Sequence, residues 1–329
     1  MCMGFKMLLR CVVVLIVVFL TPRLAFSEAD GPDFFRIKSP EAPIREQAQI
    51  DSPIVAVLTA GTVGLRNLGC SGIIPYGEWV KLNAAEKKIS RENVWCKVSF
   101  LHRNDSLKDK FEYQFGGISG WIQNIHLQEY GAPSSPVFNC DGVKPMVEQM
   151  ICKDMDLMIF DHTLNNVYKS SLEAVSKLTS KKDKKAAKSR LVAIQRGWIK
   201  GRNDCWKEQE KAQSCVTLSY LQRIVTLQAE WGLVRENKQI IRFVCENDDR
   251  NEFYATYLNL ILPVVIVERG DSRDVFIENI ASQKTEANDN KINGRYFSGT
   301  FGNQLTFFET AATLRWRNEK FDCRIASSH

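Results

Sequence analysis

Two residue patterns are missing from this chain, and their absence narrows the chemistry that it can perform. It has no Cys-x-x-Cys motif and no cluster of cysteine with histidine. Its histidines are few and scattered: His102, His126, His162 and His329. Metal binding and thiol redox catalysis depend on such clusters, so we expect neither a metal site nor another cofactor.

A catalytic motif is missing as well. Carboxylates are plentiful, but none sits in a recognisable acid–base motif. The run GISG at 117–120 lacks the spacing of a Gly-x-Ser-x-Gly nucleophile elbow. We therefore expect a protein that is not an enzyme, with a hydrolase as an alternative. The composition, 44% hydrophobic and 25% charged, is ordinary for globular proteins, and we expect no nucleic-acid partner.

The N-terminus carries a short apolar run with a charged beginning. Lys6 and Arg10 lead into CVVVLIVVFL, and Pro22 and the small-residue sequence AFS at 25–27 follow. This order is typical of a secretory signal peptide, and the apolar run is too short for a comfortable membrane span. We predict that residues 1–27 are removed and that the product is periplasmic or secreted. An uncleaved membrane anchor is the alternative.

Export changes the meaning of the cysteines. Ten are present, and Cys2 and Cys11 would leave with the signal peptide. The eight that remain are Cys70, Cys96, Cys140, Cys152, Cys205, Cys215, Cys245 and Cys323. An even number in an oxidising compartment predicts a disulfide framework. The middle four allow three pairings, among which the sequence does not choose, whereas Cys245 and Cys323 would join the first and last strands of a β region.

Turn-rich seams at 130–138 and near 232–240 divide the chain. We predict three domains, at 28–131, 136–235 and 238–326. The fold class is then multidomain, with a small all-β barrel, a disulfide-linked three-helix domain and a small antiparallel β-barrel. Formal charge also differs along the chain, at −1 for 28–137, +6 for 138–235 and −2 for 236–329.

The first region is rich in short β-branched runs that end in Gly or Asn. These runs predict about five short strands that close on themselves. The sequences GPDFFRI, GLRNLGC, EWVKL, WCKV and GWI make this region similar to the bacterial SH3-like domains of exported proteins. The resemblance implies a module that binds peptidoglycan or another partner. Trp79, Trp95 and Trp121 would then line a peptide groove; alternatively, they fill the core of the barrel.

The second region has helical periodicity. Apolar residues recur at 157, 160, 164, 167/168, 171, 175 and 178, which predicts one long helix over 151–178. The lysine-rich run at 181–188 is predicted to be a solvated loop, or else a patch for anionic wall polymer or phospholipid headgroups. Helical periodicity returns at 191–206 and from Cys215 through Leu227. Three antiparallel helices with a shared apolar seam follow.

The stretch QRGWIKGRNDC at 195–205 places polar residues on an apolar helix face. The members of that face are Leu191, Ile194, Gln195, Trp198 and Arg202. A buried guanidinium must be paired. We therefore predict that Gln195 and Arg202 meet carboxylates of the first helix, such as Asp156 or Asp161, and that the stretch is mainly structural. The alternative is that Trp198 and Arg202 belong to a binding face.

The order of motifs in this region is informative: FNC, EQMIC, LMIFD, VY, QRGWIKGRNDC and SCVTLSYLQRIVTL. It resembles the helical domain of the LprI-type lysozyme-inhibitor family. The most specific marks are Gln-x-x-Trp-x-x-x-Arg-x-x-Cys and Tyr-x-x-Arg-Ile. They supply the signature residues Gln195, Trp198, Arg202, Asp204, Tyr220 and Arg223. The resemblance implies lysozyme, of the C type above all, as the partner.

The third region is similar to the small β-barrel of MliC-type inhibitors of C-type lysozyme, through F-x-C-E, GRY, FF…A-x-L-x-W and the closing cysteine. In that family two loops plug the lysozyme cleft. The resemblance makes Ser282, Arg295 and Tyr296 the inhibitor-loop candidates. Glu309 and Thr310 stand where the family has lysine and glycine. The missing cation leads us to expect that the helical region carries at least part of any inhibition.

Two hypotheses follow from these observations. The first is an exported cell-envelope protein that binds lysozyme and inhibits it by occluding the active-site cleft. The alternative is a noncatalytic envelope module that binds wall or protein partners without inhibiting.

Overall fold

The computed structural model describes residues 32–100, 117–235, 238–279 and 294–326, so the expected signal peptide lies outside the described residues. The first region is one antiparallel sheet, a half-barrel with strand order β3-β2-β6-β5-β4-β1-β7. Its strands are β1 (Phe34–Ile37), β2 (Glu41–Arg45), β3 (Ile54–Thr59), β4 (Leu65–Ser71), β5 (Trp95–Phe100), β6 (Ile118–Gln123) and β7 (Leu127–Glu129). Two short helices lie between β4 and β5: α1 (Tyr76–Trp79) and α2 (Ala84–Glu92).

The expectation of five strands that close on themselves is therefore wrong. Seven strands are present, and β3 and β7 end the sheet among the described residues. The extra strands are short, and β2 contains Pro43, a residue that weakens a strand signal in sequence. The Cys70–Cys96 disulfide joins the neighbouring strands β4 and β5. Of the three tryptophans, only Trp95 is buried in the core; Trp79 and Trp121 are half-buried.

The second region is helical: α3 (Met146–Ile151), α4 (Met155–Ser176), α5 (Lys181–Asn203) and α6 (Ala212–Glu230), with a 3-10 segment at Asp204–Lys211. The apolar repeat predicted for the first long helix lies on the buried face of α4 from Leu157 to Val175. The prediction of one helix over 151–178 is wrong at its ends, because the chain leaves the helix between Ile151 and Met155, and Leu178 is exposed beyond α4. Asp154 caps α4 by accepting a hydrogen bond from the Leu157 amide at 3.0 Å. Disulfides join Cys140 to Cys152 and Cys205 to Cys215.

The prediction of a loop at the lysine-rich run is wrong. These lysines form the first two turns of α5, and the helix begins at Lys181. The Ser180 hydroxyl caps it by accepting a hydrogen bond from the Asp183 amide at 3.3 Å. Lysine and alanine are good helix formers, so a run of exposed cations need not interrupt a helix. Most of its lysine side chains are exposed.

The third region is a closed antiparallel barrel of eight strands, with order β10-β11-β12-β13-β14-β15-β8-β9. The strands are β8 (Lys238–Cys245), β9 (Asp248–Leu258), β10 (Val264–Arg269), β11 (Ser272–Glu278), β12 (Arg295–Ser298), β13 (Gln304–Phe307), β14 (Ala311–Trp316) and β15 (Glu319–Ile325). Cys245 and Cys323 are directly opposite each other and disulfide-bonded, so the first and last strands of the barrel are joined as the sequence predicts. Phenylalanines from five strands and Trp316 fill the interior.

The half-barrel and the helices share one hydrophobic core, whereas the closed barrel has its own. Phe100 of β5 and Phe160 of α4 meet edge to face, with ring centroids 6.3 Å apart. Gly64 has φ +77°, and a Cβ added there would lie 2.6 Å from the Ile159 side chain, so glycine permits α4 to approach. The loop before β10 joins the same core, because Asn259 accepts a hydrogen bond from the Val57 amide at 2.7 Å.

Candidate functional site

Five of the six signature residues of the helical region lie between α5 and α6, in two groups that meet at Trp198. The first is a buried polar cluster around Arg202, which is 5% exposed. Its Nη1 donates to the Tyr220 hydroxyl at 2.8 Å, and that hydroxyl donates to Asp161 Oδ1 at 2.8 Å. Nη2 donates to Asn203 Oδ1 at 2.9 Å and lies 3.6 Å from Glu148 Oε1.

Arg202, Tyr220 and Asn203 all make hydrogen bonds to other side chains of this cluster. Burial, with the Asp161 carboxylate beside it, raises the pKa of the Tyr220 hydroxyl well above its usual value. The Trp198 ring meets the Tyr220 ring edge to face, with centroids 5.1 Å apart. Arg202 therefore ties α5 to α6 and to the α3 residue Glu148. The predicted pairing with Asp161 is made through the Tyr220 hydroxyl.

The second group surrounds another arginine, Arg223 of α6, which is also 5% exposed. Its Nε donates to Gln195 Oε1 at 2.9 Å. Its Nη2 is buried and has no hydrogen-bond partner among the described residues. Burial lowers the pKa of this guanidinium, and Glu230 and Tyr168 oppose that effect. Gln195 thus meets an arginine of α6 in this structure, a partner that the sequence did not suggest.

Arg223 borders an open groove of about 510 Å³ between the two helices and the barrel. Ile194 and Trp198 of α5 form one side, Ser219 and Thr226 of α6 the other, and Ile277 of β11 closes it. The Trp198 indole Nε1 donates to the Ser219 carbonyl at 3.2 Å, which fixes the ring at the groove wall. Ile194 was expected on the buried stripe, but it is 39% exposed because it borders this groove.

The signature residues therefore have different surroundings. Gln195, Trp198 and Arg223 are at or next to the groove, whereas Arg202 and Tyr220 lie in the buried cluster. Asp204 follows α5 and is exposed, with Lys207 Nζ 2.8 Å away. Sequence reasoning missed the polar groove residues of α6, Ser219, Gln222 and Thr226, although their spacing of three and four places them on one helix face.

In the closed barrel, the candidate cation Arg295 is already paired. Its Nε and Nη2 donate to the two oxygens of Glu278 at 2.7 and 2.8 Å. Nη2 also lies 2.8 Å from the Tyr257 hydroxyl. The bond to Glu278 raises the pKa of the guanidinium above its ordinary value. A carboxylate in a lysozyme cleft would have to compete with Glu278 for this cation.

The other barrel candidates are placed as follows. Tyr296 is half-buried on β12, directly opposite Thr306 of β13. Glu309 and Thr310 form the turn between β13 and β14. Ser282 lies outside the described residues.

The part of the chain that the structure describes has no group of three or more His, Cys, Asp and Glu residues that could hold a metal ion. In the same ranges, none of the helices has the length and apolarity needed to cross a membrane.

Comparison with protein families finds a match for the helical region. Residues 140–238 match the family described as Lysozyme inhibitor LprI, which covers less than a third of the chain. Curated proteins and solved structures give no match. The SH3-like and MliC-like resemblances of the two β regions remain predictions.

Proposed function

We propose that the protein is exported and noncatalytic, and that it binds lysozyme and inhibits it by occluding the active-site cleft. The observation that carries this proposal is the match of residues 140–238 to the lysozyme-inhibitor family. All six signature residues of the helical region fall within that match. C-type lysozyme is the proposed target because the closed barrel also resembles inhibitors of that class.

Export is supported by the cysteines and by the N-terminal pattern. All eight cysteines from Cys70 onward are paired in four disulfides, which are typical of an oxidising compartment. Residues 1–27 have the composition of a signal peptide. The proposed location is the periplasm or the exterior of the cell.

The helical region is the proposed source of inhibition. Residues 140–238 carry the match to the inhibitor family, whereas the candidate cation of the closed barrel, Arg295, is held by Glu278. The division into domains at 28–131, 136–235 and 238–326 is part of this proposal. Because the helices share a core with the half-barrel, its test needs whole-chain variants rather than an isolated helical fragment.

A turbidity assay tests the proposal directly. Whole oxidised protein without residues 1–27 is added to C-type lysozyme and a bacterial wall suspension. We expect clearing to slow in proportion to the added protein until the lysozyme is saturated. Because residues 138–235 carry a formal +6 and C-type lysozymes are typically cationic, inhibition should be stronger at moderate than at low salt. Unchanged clearing at a tenfold molar excess of folded protein would reject inhibition.

A second candidate function is binding to the cell wall through the half-barrel. The observation that favours it is a half-buried aromatic ring beside cations: Lys87 Nζ lies 4.7 Å from the Trp79 ring centroid and Arg91 lies 5.9 Å from it. Wall peptides carry carboxylates that such a surface attracts. Sedimentation with insoluble peptidoglycan distinguishes this function, because Trp79→Ala should abolish co-sedimentation and leave lysozyme inhibition intact.

A further inference from the structure

The groove is lined in part by Arg223, a buried cation that the chain pairs only incompletely. The hydrogen bond from its Nε goes to Gln195, a neutral side chain, and its Nη2 has none within the described ranges. The carboxylate that acts on it electrostatically, Glu230, is already paired with Arg190 at 3.3 Å. A buried charge without a matched partner is costly, and proteins normally supply one. Arg202, one helix away, shows the usual arrangement, with Glu148 and Tyr220 around it.

The walls of the groove define what else a ligand must carry. Ile194, Trp198 and Ile277 present apolar surface on either side of the cation, and Ile194 is 39% exposed. Ser219 and Thr226 contribute small polar groups on the α6 side. The volume of about 510 Å³ accommodates one side chain with parts of its neighbours. A fitting ligand therefore combines one anionic group with aliphatic groups next to it.

We propose that this groove binds a single acidic side chain of a protein partner, with its carboxylate on the Arg223 guanidinium and its apolar neighbours against Trp198 and Ile277. A carboxylate matches the planar fork of a guanidinium better than any other protein group. The surrounding charge favours the same partner, because residues 138–235 contain 17 basic and 11 acidic side chains. Contact with Arg223 adds the matched carboxylate that this cation lacks among the described residues.

This inference goes beyond lysozyme inhibition and does not rest on it. A recessed guanidinium cannot extend into the cleft of an enzyme; it receives a group that protrudes from its partner. The groove is thus a separate contact from any part of the protein that plugs a cleft. Its test contains no lysozyme, so its failure and that of the proposed function are distinguishable.

The experiment uses whole oxidised protein without residues 1–27 and two blocked peptides, acetyl-Leu-Glu-Leu-amide and acetyl-Leu-Gln-Leu-amide. They differ only in charge. Binding is followed by NMR through the indole N–H of Trp198, whose signal is identified with the Trp198→Phe variant. We expect the Glu peptide to shift this signal saturably and to bind at least tenfold more tightly than the Gln peptide.

Variants locate the interaction. Arg223→Met should remove the preference for the Glu peptide, and Arg223→Lys should retain part of it because it keeps the charge but not the fork. Arg196→Met is the matched control, since Arg196 is an exposed cation of α5 outside the groove lining, and it should change neither affinity more than twofold. If Arg223→Met does not fold, the comparison of the two peptide affinities on the wild-type protein still tests whether the groove prefers a carboxylate.

Several outcomes would overturn the proposal. Equal binding of the two peptides would make the groove an apolar contact without charge recognition. An equal loss in Arg196→Met would assign the effect to general surface charge. Tighter binding of acetyl-Leu-Gln-Leu with a free C-terminal carboxylate would assign the groove to a chain terminus instead of a side chain. No shift with any peptide at millimolar concentration would exclude the site.

Discussion

The closed barrel and the α5–α6 helix pair each bury a charged side chain, and the surroundings of the two charges differ. In the barrel, Asp274 accepts hydrogen bonds from the Thr300 amide and hydroxyl at 2.9 and 2.8 Å and from the Asn303 side chain at 2.9 Å. In the helix pair, Arg223 is bonded through Nε to neutral Gln195, while its Nη2 has no hydrogen-bond partner in the part of the chain that the structure describes. The first charge holds a turn in place. The second is the one for which we propose an acidic group of a partner protein.

The hydrophobic cores of the closed barrel and the helical region also differ. The barrel closes on itself around its own aromatic interior, and a disulfide joins its end strands. The helices complete their core only with the half-barrel: Gln228 Nε2 of α6 donates to Thr59 Oγ1 at 2.8 Å, and Asn166 Nδ2 of α4 donates to the Gly61 carbonyl at 2.8 Å. The helical region therefore completes its hydrophobic core with its neighbour, whereas the barrel encloses a core of its own.

The largest expected effect comes from the fully paired arginine. Arg202→Met should lower the free energy of unfolding by about 3 kcal/mol, because Tyr220, Asn203 and Glu148 lose their buried cation. Urea denaturation measures this value. Arg196→Met, at an exposed position of the same helix, should change it by less than about 0.5 kcal/mol. An unchanged stability in Arg202→Met, with lysozyme binding lost instead, would transfer this residue from the fold to the binding surface.

The next effect tests the barrel side of the comparison. Asp274→Ala should cost about 2 kcal/mol, since the amide and hydroxyl of Thr300 and the Asn303 side chain lose a buried acceptor. The turn that they hold contains Phe301 at φ +54°, a conformation that side chains rarely adopt. Thermal unfolding compares this variant with Asp271→Ala, an exposed neighbour that should behave as wild type. Equal melting temperatures of the two variants would mean that the turn is stable without the hydrogen bonds to Asp274.

Some features of these two regions can be predicted from the sequence, and others cannot. The apolar period of α4 and the strands bracketed by Cys245 and Cys323 follow from local patterns, which is why they are predictable. Glu148, one partner of Arg202, does not follow from them, because it belongs to α3, a short helix that has too few residues to show a period.

The groove is still harder to predict from the sequence. Its wall includes Ile277, a barrel residue 54 positions after Arg223, and packing between regions is not encoded in any local spacing. The lysine-rich start of α5 is hard to predict for a different reason: its charge is typical of a solvated loop, whereas its helix propensity favours a helix. The first sheet has more strands than the sequence predicts because a strand such as β7 has only three residues, too few to show an alternating pattern.

A smaller effect is expected where the cation is incompletely paired. Arg223→Met should alter the free energy of unfolding by no more than about 1 kcal/mol, in either direction, because an apolar side chain removes a buried charge that gains little from Gln195. The matched pair with Arg202→Met makes the comparison direct, as both residues are 5% exposed. Urea denaturation of both variants is the measurement. A loss in Arg223→Met as large as in Arg202→Met would show that Arg223 is a structural residue.

The smallest effect is a difference in pH response between the two regions. The described histidines, His126 and His162, both lie outside the barrel. His126 precedes β7 with Nδ1 2.9 Å from Ser39 Oγ, and burial, followed by the charge of Lys38, lowers its pKa. The unfolded chain therefore binds a proton more readily than the folded one. Stability should be complete above about pH 6.5 and decline as the pH falls below that value.

In the barrel, the response should begin at a lower pH. Hydrogen bonds from Lys320 and then from Thr313 lower the pKa of Asp322, so its contribution is present above about pH 4 and is lost only as the pH falls further. Urea denaturation at pH 7.0 and 5.5 should therefore show a small loss that disappears in His126→Gln and persists in Asp322→Asn. The same loss in His126→Gln as in wild type would place the acid-sensitive group elsewhere and remove this distinction between the regions.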